Sequence, residues 1–357
     1  MIYQLLRPLI FKFDAESAHN LAINFLKYLP RFATLMTLDK DYDNLKSRVF
    51  NLDFKSPIGM SAGFDKNCEV VQVLEKFGFG FIEAGTTTPK PQIGNDRPRI
   101  FRLLEDQAII NRLGFNNLGS EVFLKNLQLI KPNTKKIIGV NIGKNKDTRD
   151  ANDDYLALMS KFYEIADYLT VNISSPNTKN LRDLQNEQNL TNLLQALDSL
   201  KVELREKTQK NTPVLLKIAP DLDFDQQQQI ADIVLNSQIS GVIISNTTIE
   251  RSQNLKSSFA QEQGGLSGKP LFEKSNEVLR NFYKLTQGKI PLIGVGGINN
   301  ADDVYQKMRS GASLVQIYSA FIYQGFGLVE KIKKDLSLLI AKEGFKNIEE
   351  IVGIDSK

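Results

Sequence analysis

Six segments of the chain place amide, hydroxyl or ammonium side chains directly after short apolar runs. They begin at Ser61, Gly85, Asn141, Asn172, Lys217 and Ser245. One polar end of this kind carries little information, because asparagine and serine are common turn residues. Six of them together indicate a lined pocket. Asparagine amides offer paired donors and acceptors, which suit planar imide or amide rings such as those of flavins and pyrimidines.

The side chains of this pocket are poor redox agents, so any redox chemistry would need a cofactor. Lys217 ends the fifth apolar run and would be a buried cation that faces an anion. A reduced flavin carries a negative charge near its pyrimidine edge and would meet that requirement. The alternative is an ordinary ion pair between Lys217 and a nearby carboxylate.

Two further segments, 294–298 and 317–319, follow the last two apolar runs and precede predicted helices. Glycines let backbone N–H groups approach an anion, and a helix N-terminus favours negative charge. The glycine-rich segment 264–268 would add another wall. This placement predicts a bound phosphate, and hence a phosphate-bearing cofactor.

Scarce residue types exclude several classes of site. Cys68 is the only cysteine, so one chain cannot form an internal disulfide or a multi-cysteine zinc or iron–sulfur site. His19 is the only histidine, which excludes metal sites built on several histidines. A carboxylate magnesium site is not excluded in this way, but no spacing of carboxylates indicates one, so we expect no metal. Cys68 falls within a predicted helix and is interpreted as a small buried residue and not as a catalytic thiol.

Composition and charge narrow the class of protein. The chain has 357 residues, with 45 Lys and Arg against 41 Asp and Glu, and a net charge of +4. This excess is too small to indicate a nucleic-acid-binding protein. No apolar run approaches the ~20 residues of a membrane-spanning helix. Arg7, Pro8 and Lys12 interrupt the apolar residues where a signal peptide would lie, so a cytoplasmic protein is expected.

Beyond residue 50 the chain alternates between short apolar, β-branched runs and helical stretches. The runs are 57–60, 81–84, 137–141, 168–173, 214–218, 241–245, 291–295 and 314–317. Their nearly continuous apolar character is expected of parallel strands that are buried on both faces. Eight such strands, each followed by a helical segment, predict an α/β fold, the (β/α)8 TIM barrel. The alternative, a doubly wound sheet, lacks its Gly-x-Gly-x-x-Gly fingerprint after the first strand.

We divide the chain into a small N-terminal helical module at residues 1–45, a barrel at 46–342 and an unassigned tail at 343–357. Two connections within the barrel, 86–136 and 246–272, are too long for simple turns. Long loops of compact domains are usually functional or disordered. Both follow the carboxyl end of a predicted strand, which is the side where barrel active sites form.

The N-terminal module is predicted to contain two amphipathic helices. The first has an apolar stripe over residues 2–10, within which Pro8 predicts a kink or a late start. The second is capped near Asp14 and stops at Pro30, and an apolar patch of Phe32, Leu35 and Met36 follows. The module either covers the bottom of the barrel or lies on a membrane surface. In the second case four cations would lie near lipid headgroups: Arg7, Lys12, Lys27 and Arg31.

Five motifs of the chain resemble those of dihydroorotate dehydrogenases. They are Ser61-Ala62-Gly63-Phe64-Asp65-Lys66, Asn111-Arg112-Leu113-Gly114-Phe115-Asn116-Asn117, Asn141-Ile142-Gly143-Lys144-Asn145, Asn172-Ile173-Ser174-Ser175-Pro176-Asn177-Thr178 and Gly294-Val295-Gly296-Gly297-Ile298. The chain is most similar to class 2, the quinone-dependent branch, from the N-terminal helices to about residue 340. The resemblance implies FMN bound in a (β/α)8 barrel and the oxidation of dihydroorotate to orotate in de novo pyrimidine (UMP) biosynthesis.

The resemblance also assigns residues, motif by motif. Contacts with FMN or its phosphate are expected from Ala62, Gly63, Phe64, Asp65, Lys66, Thr86, Asn141, Asn172, Lys217, Ser245, Gly268, Gly297, Tyr318 and Ser319. Contacts with the substrate are expected from Lys66, Asn111, Arg112, Leu113, Gly114, Phe115, Asn172, Asn177, Asn246 and Thr247. Ser175 lies at the position of the family's catalytic base. Ser245 replaces the threonine of the family pattern and keeps its hydroxyl.

In the implied reaction Ser175 removes a proton from C5 of dihydroorotate, and a hydride passes from C6 to N5 of FMN. Serine is a weak base, so a water or hydroxyl relay and stabilisation of the developing enolate must assist it. Cysteine would be an easier base, because more of it is ionised near neutral pH. Soluble class 1 relatives have cysteine at this position, so Ser175 indicates class 2.

The implied electron acceptor is a membrane quinone that enters between the N-terminal helices. His19 and Arg102 match polar positions along that route, although His19 alone fits a capping or surface residue equally well. The implied location is the cytoplasmic face of the cell (inner) membrane, with the protein attached peripherally through its N-terminal helices.

Three other functions fit parts of the pattern. A class 1-like dehydrogenase that uses fumarate or a nicotinamide is disfavoured by Ser175 and by the N-terminal extension. A tRNA-modifying flavoprotein would normally have a strongly basic surface. A barrel that binds a phosphate-bearing ligand without catalysis is the third alternative.

Overall fold

Eight parallel strands close into a barrel in the computed structural model of this protein, which describes residues 2–34 and 39–356. In chain order the strands are β1 (Ser47–Val49), β2 (Leu52–Phe54), β3 (Ile58–Met60), β4 (Phe81–Thr87), β5 (Ile100–Leu103), β6 (Ala108–Asn111), β7 (Ile137–Ile142), β8 (Tyr168–Asn172), β9 (Val214–Ile218), β10 (Gly241–Ile244), β11 (Gly265–Gly268), β12 (Leu292–Val295) and β13 (Ala312–Ile317). The barrel order is β10-β12-β13-β3-β4-β7-β8-β9. The predicted (β/α)8 barrel is confirmed.

Helices surround the barrel. In chain order they are α1 (Ile2–Ile10), α2 (Ala15–Tyr28), α3 (Pro30–Thr34), α4 (Val71–Leu74), α5 (Ser120–Ile130), α6 (Ala151–Phe162), α7 (Glu187–Thr208), α8 (Phe224–Leu235), α9 (Phe272–Leu285), α10 (Ala301–Arg309), α11 (Ser319–Gln324) and α12 (Leu328–Lys342). The apolar stripe of each main helix packs against the strands, as in α7, where Leu190, Leu193 and Leu197 are buried. None of the described helices is long and apolar enough to cross a membrane.

The strand register brings the predicted polar ends together. Every residue of β8 and β9 is buried, which is why these segments are apolar on both faces. Asn172 of β8 pairs with Lys217 of β9, and Gly85 of β4 pairs with Asn141 of β7. Because the strands are parallel, their carboxyl ends meet at one end of the barrel.

The opposite end of the barrel is closed by the antiparallel hairpin β1–β2. Phe54 of this hairpin contacts Phe81 edge-to-face, with ring centroids 5.3 Å apart, in a cluster that includes Tyr168 and Leu215. The interpretation that the N-terminal helices cover the bottom of the barrel is therefore wrong. They lack access to that end because the hairpin fills it.

The two long connections are ordered and meet in a second sheet. Strands β5 and β6 come from the first connection and β11 from the second, and they form an antiparallel sheet in the order β11-β6-β5. Asn111 pairs with both Ile100 and Gly265 in this sheet. The sheet carries Asn111 and Gly268 to the carboxyl end of the barrel.

Helix α2 begins as predicted, since the Asp14 carboxylate accepts a hydrogen bond from the Ser17 backbone N–H at 2.9 Å. Helix α1 starts at Ile2 and contains Pro8, so the predicted late start is wrong. Pro8 is the seventh residue of this nine-residue helix, where its missing N–H removes the hydrogen bond that would reach the Gln4 carbonyl. Pro30 ends α2 and also begins α3. Leu35 and Met36 of the predicted apolar patch lie outside the described residues.

The N-terminal helices are tied to the barrel by polar contacts. The Glu16 carboxylate of α2 forms a buried ion pair with Arg99, at 2.7 Å. Lys27 pairs with Glu69 at 2.7 Å, and Arg7 donates to the Tyr323 carbonyl at 3.0 Å. Two of the four cations that the membrane interpretation places near lipid headgroups, Arg7 and Lys27, thus contact the barrel.

The tail that follows α12 packs on the barrel. Ile348 and Ile351 are fully buried, and the Gly353 N–H donates to the Met308 carbonyl at 2.9 Å. Arg309 of α10 forms an ion pair with Asp355 at 2.5 Å. The tail therefore packs against α9 and α10.

Candidate active site

One cavity of about 540 Å³ opens at the carboxyl end of the barrel and brings together most of the predicted site residues. From the predicted cofactor set it is lined by Ala62, Gly63, Phe64, Lys66, Thr86, Asn172, Lys217, Ser245, Gly268, Gly297, Tyr318 and Ser319. From the predicted substrate and catalytic sets it is lined by Asn111, Leu113, Gly114, Phe115, Ser175, Asn177, Asn246 and Thr247. Ser267 of the predicted wall 264–268 also lines it, and so does Gln316, which was not predicted.

Three predicted residues do not line the cavity. Asp65 is buried, and its carboxylate accepts the backbone N–H groups of Glu69 and Val70 at 2.8 and 2.7 Å. Arg112 points away and pairs with Glu262 at 2.7 Å. Asn141 lies fully buried behind the cavity wall. Their effect on a ligand is therefore indirect, through the loops and side chains that they hold.

Asn141 orders the two side chains in front of it. Its Oδ1 accepts from the Thr86 hydroxyl at 2.6 Å and from the Asn172 amide at 3.1 Å. Its own amide donates to the Glu83 carboxylate at 2.8 Å. These bonds fix the orientation of the Asn172 amide within a buried hydrogen-bond network.

Glu83 is a fully buried carboxylate under the cavity, and sequence reasoning missed it. Besides Asn141, it accepts from the side chains of Tyr168, Thr170 and Gln316 at 2.9–3.1 Å. The Lys217 ammonium lies 3.7 Å from this carboxylate and 3.4 Å from the Ser61 hydroxyl.

Lys217 therefore combines the two alternatives predicted from the sequence, an ion pair with a carboxylate and a position facing a ligand. It pairs with a carboxylate on one side and lines the cavity on the other. Burial lowers the pKa of Lys217, and Glu83 opposes that shift. The pair places a cation at the cavity wall, next to any ligand that develops negative charge.

The loop after β8 supplies Ser175, which is 6% exposed and lines the cavity. Its hydroxyl oxygen accepts the Asn177 N–H at 3.2 Å. The preceding Ser174 donates to the Asn172 Oδ1 at 2.7 Å and accepts from the Asn246 amide at 2.8 Å. Ser174 thus orients two amides, while the Ser175 hydroxyl remains directed to the cavity.

Lys66 is the second lysine of the cavity, and its ammonium donates to the Asn116 Oδ1 at 2.8 Å. Burial lowers the pKa of Lys66 to about 8, while the Glu16 carboxylate opposes the shift. Lys66 is therefore a cation near neutral pH that can attract the carboxylate of a small acid.

The glycines after β12 and within β11 form a concave wall. Gly268 and Gly297 have φ angles of 96° and 75°, a region that favours glycine. A Cβ atom at Gly297 would lie 2.4 Å from the Phe272 Cβ, so only glycine fits. The hydroxyls of Ser267 and Ser319 are 2.9 Å apart on the same wall. Backbone N–H groups and hydroxyls at this end are suited to a phosphate.

The cavity continues away from the polar site, between α1 and α2. Its apolar part is lined by Leu6, Ile10, Phe11, Ala18, Leu21, Ala22 and Phe25. His19 lies at the junction, edge-on to the Phe64 ring with centroids 5.4 Å apart. Burial lowers the pKa of His19 to about 3, so the ring is neutral. Arg102 stacks on the Phe11 ring, 4.5 Å from its centroid.

Cys68 is fully buried, and burial raises the pKa of its thiol well above the usual range, as expected of a packing residue. Across the described residues there is no group of three or more His, Cys, Asp or Glu side chains that could hold a metal ion.

Comparison with known proteins places this site in a family. Residues 44–340 match the dihydroorotate dehydrogenase family model. The chain belongs to the dihydroorotate dehydrogenase family. It is 47% identical to the dihydroorotate dehydrogenase (quinone) of Rhodopseudomonas palustris (strain BisA53) over 98% of this chain and 94% of the relative. Identity to the enzyme of the same name from Xanthobacter autotrophicus is 46%, over 99% of both chains.

The fold agrees with that assignment. The crystal structure of DHODH from Eimeria tenella in complex with ferulenol superposes with a TM-score of 0.91, at 38% identity and over 96% of both chains. The resemblance to the quinone-dependent branch of the family, predicted from the five motifs, is confirmed by these relatives. Because they match over nearly the full chain, the N-terminal helices belong to the shared architecture.

Proposed function

We propose that this protein is a flavoenzyme that oxidises dihydroorotate to orotate in de novo pyrimidine biosynthesis and passes the electrons to a membrane quinone. FMN is the proposed cofactor. One observation carries the proposal: a single cavity joins a polar pocket of amides and lysines to an apolar gap between α1 and α2. An enzyme with two chemically different substrates and one shared flavin needs such a cavity.

The residues of the cavity fit FMN. The glycine wall at Gly268 and Gly297, with Ser319, would hold the phosphate. The Oε1 of Gln316 is a buried acceptor without a hydrogen-bond partner among the described residues, and an imide N–H of the ring would satisfy it. Lys217 would face the edge of the ring that becomes negative. When bound, FMN supplies the acceptor of the hydride, its N5 atom.

Ser175 is the proposed catalytic base, which takes the proton from C5 of dihydroorotate. Thr178, three residues later, carries a buried hydroxyl without a partner among the described residues. A hydroxyl in this loop can pass the proton onwards, which a weak base such as serine requires. The fixed amides of Asn172, Asn177 and Asn246 would orient the substrate and stabilise the developing enolate.

The role of Lys66 in substrate binding can be tested through the rate of flavin reduction at alkaline pH. Only the ammonium form attracts the substrate carboxylate, so the second-order rate constant of flavin reduction is expected to fall as the pH rises above about 8. In Lys66→Arg this fall should move to higher pH, because a guanidinium stays charged. Stopped-flow reduction over a range of pH checks this. An identical fall in Lys66→Arg would assign it to another group.

The apolar gap is the proposed route of the quinone, with His19 and Arg102 at its walls. Large apolar side chains lie exposed on the N-terminal helices, including Leu5 and Leu9 of α1 and Phe32 of α3, which are 77%, 58% and 61% exposed. Such a surface favours a peripheral position on a membrane. We propose the cytoplasmic face of the cell (inner) membrane as the location.

The proposed function has a direct test. Purified full-length protein should release FMN on denaturation, identified by mass. Under anaerobic conditions, dihydroorotate should bleach the absorbance of the oxidised flavin, and a quinone should restore it. Fumarate and a nicotinamide serve as control acceptors. Flavin that is not reduced by dihydroorotate, or that is reoxidised only by fumarate or the nicotinamide, would contradict the proposal.

A further inference from the structure

Lys307 of α10 is a fully buried lysine beneath the glycine turn that follows β12. Its stem passes against Gly294, where a Cβ atom would lie 3.1 Å from the Lys307 Cδ. The ammonium donates to the Ser275 hydroxyl and to the Asn276 Oδ1, the latter at 2.8 Å. It also lies 5.1 Å from the centre of the Phe272 ring.

All of these contacts are with neutral groups. Among the described residues no carboxylate lies within ion-pair distance of the Lys307 ammonium, whereas the equally buried Lys333 pairs with Asp39 at 2.7 Å. Burial lowers the pKa of Lys307 to about 7. A buried cation without a counter-ion is costly, so the site is completed by a negative charge or by loss of the proton.

The charges around Lys307 are few. Asp303 on α10 and Glu273 on α9 favour its charged form, and Arg280 on α9 opposes it. Strands β12 and β13, on which α10 packs, contain no charged residue. The amine of Lys307 is therefore about half-protonated near neutral pH. A nearby anion would shift it to the protonated, charged form.

Lys307 is connected to the glycine turn Gly296–Gly297 through Ser275 and Phe272. The Ser275 hydroxyl, which accepts from the ammonium, lies 3.4 Å from the Gly296 carbonyl and 3.2 Å from the Phe272 carbonyl. Gly297 packs directly on Phe272. One positive charge thus lies behind the turn Gly296–Gly297, which lines the cavity.

We propose that Lys307 is a positioning residue and buried counter-charge for the cofactor phosphate: through Ser275 it holds the turn Gly296–Gly297, and it takes up a proton from solvent when the phosphate binds. The inference rests on the proposed function, because that function places the phosphate at this turn. A phosphate dianion behind one layer of backbone stabilises the ammonium in a medium of low dielectric constant. Binding of FMN should therefore be stronger at pH values where Lys307 is protonated.

The test compares FMN with riboflavin, which has the same ring and no phosphate, on full-length protein freed of its flavin. In Lys307→Met the dissociation constant of FMN should rise about tenfold or more, a loss of about 1.4 kcal/mol. The dissociation constant of riboflavin should stay within about twofold. Relative to the variant, the wild-type protein should lose FMN affinity as the pH rises through about 7. Flavin fluorescence reports both equilibria.

Matched variants separate charge from packing. Lys333→Met removes a buried lysine that has its own carboxylate partners, and should leave FMN affinity unchanged. Lys307→Gln keeps a donor for Ser275 without the charge, and should show the same selective loss of FMN even if Lys307→Met folds poorly.

Two outcomes would overturn the inference. One is an equal loss of FMN and riboflavin in both Lys307 variants, which would indicate packing alone. The other is unchanged FMN affinity with an unchanged pH dependence. Wild-type protein that binds neither flavin would instead contradict the proposed function, so the two failures are distinguishable.

Discussion

Replacing Ser175 with alanine is expected to slow reduction of the flavin by dihydroorotate by about 10²–10⁴-fold, because a general base of this kind contributes a factor of that size. FMN should remain bound, since the Ser175 hydroxyl accepts only the Asn177 N–H among the described contacts. The alanine keeps the loop backbone and leaves Lys217 and the glycine wall untouched. Anaerobic stopped-flow measurement of flavin bleaching gives the rate.

Two matched variants control for this result. Ser175→Cys supplies a more readily ionised base in the same place, so reduction should survive and acquire the titration of a thiol. Ser174→Ala removes the neighbouring hydroxyl, which orients Asn172 and Asn246 but does not line the cavity. It should weaken substrate binding more than it slows the chemical step. Reduction at the wild-type rate in Ser175→Ala would remove Ser175 from the role of base.

The barrel could be predicted from the sequence because its strands are buried on both faces. Segments such as Val214–Ile218 are apolar throughout, and this signal needs no knowledge of distant residues. The sheet β5–β6–β11 could not be predicted in the same way. Its strands have four residues each, and β6 pairs with β11 across a long stretch of chain. Local periodicity does not reveal such pairing.

Position in a motif predicted which loops reach the site, but not the direction of each side chain. Asp65 lies in a motif with Lys66, yet its carboxylate turns back to the N–H groups of Glu69 and Val70. Arg112 similarly follows Asn111 and pairs outside the cavity. Neighbouring residues of such loops direct their side chains differently, so a motif mixes residues that line the cavity with residues that support it.

Glu83 shows what sequence reasoning could have found. It is a carboxylate inside an otherwise apolar strand, and an ionisable residue in such a run requires a partner. Its partner Lys217 lies in a strand that is not adjacent to β4 in the barrel, because β7 and β8 intervene. Only closure of the barrel brings the two side chains together across its interior.

Blocking the apolar gap is expected to separate the two half-reactions. Ala18 of α2 lines the cavity and is 8% exposed. In Ala18→Trp the indole would fill the gap. The rate of reoxidation of the reduced flavin by a membrane quinone should therefore fall by tenfold or more, which corresponds to an increase of about 1.4 kcal/mol or more in the activation free energy. Flavin reduction by dihydroorotate should keep its rate, because Ser175 and the amides of Asn172 and Asn246 belong to the ends of β8 and β10 and the loops that follow, and not to α1 or α2.

The control is Asn24→Trp, which adds the same side chain to an exposed position of α2 that does not line the cavity. Overpacking at Ala18 would cost about 1–3 kcal/mol of stability, so thermal unfolding of both variants must be compared. If a folded Ala18→Trp protein is reoxidised by quinone at the wild-type rate, the electrons leave by another path. A selective loss would instead place the quinone between α1 and α2, because no other step of the proposed reaction uses that gap.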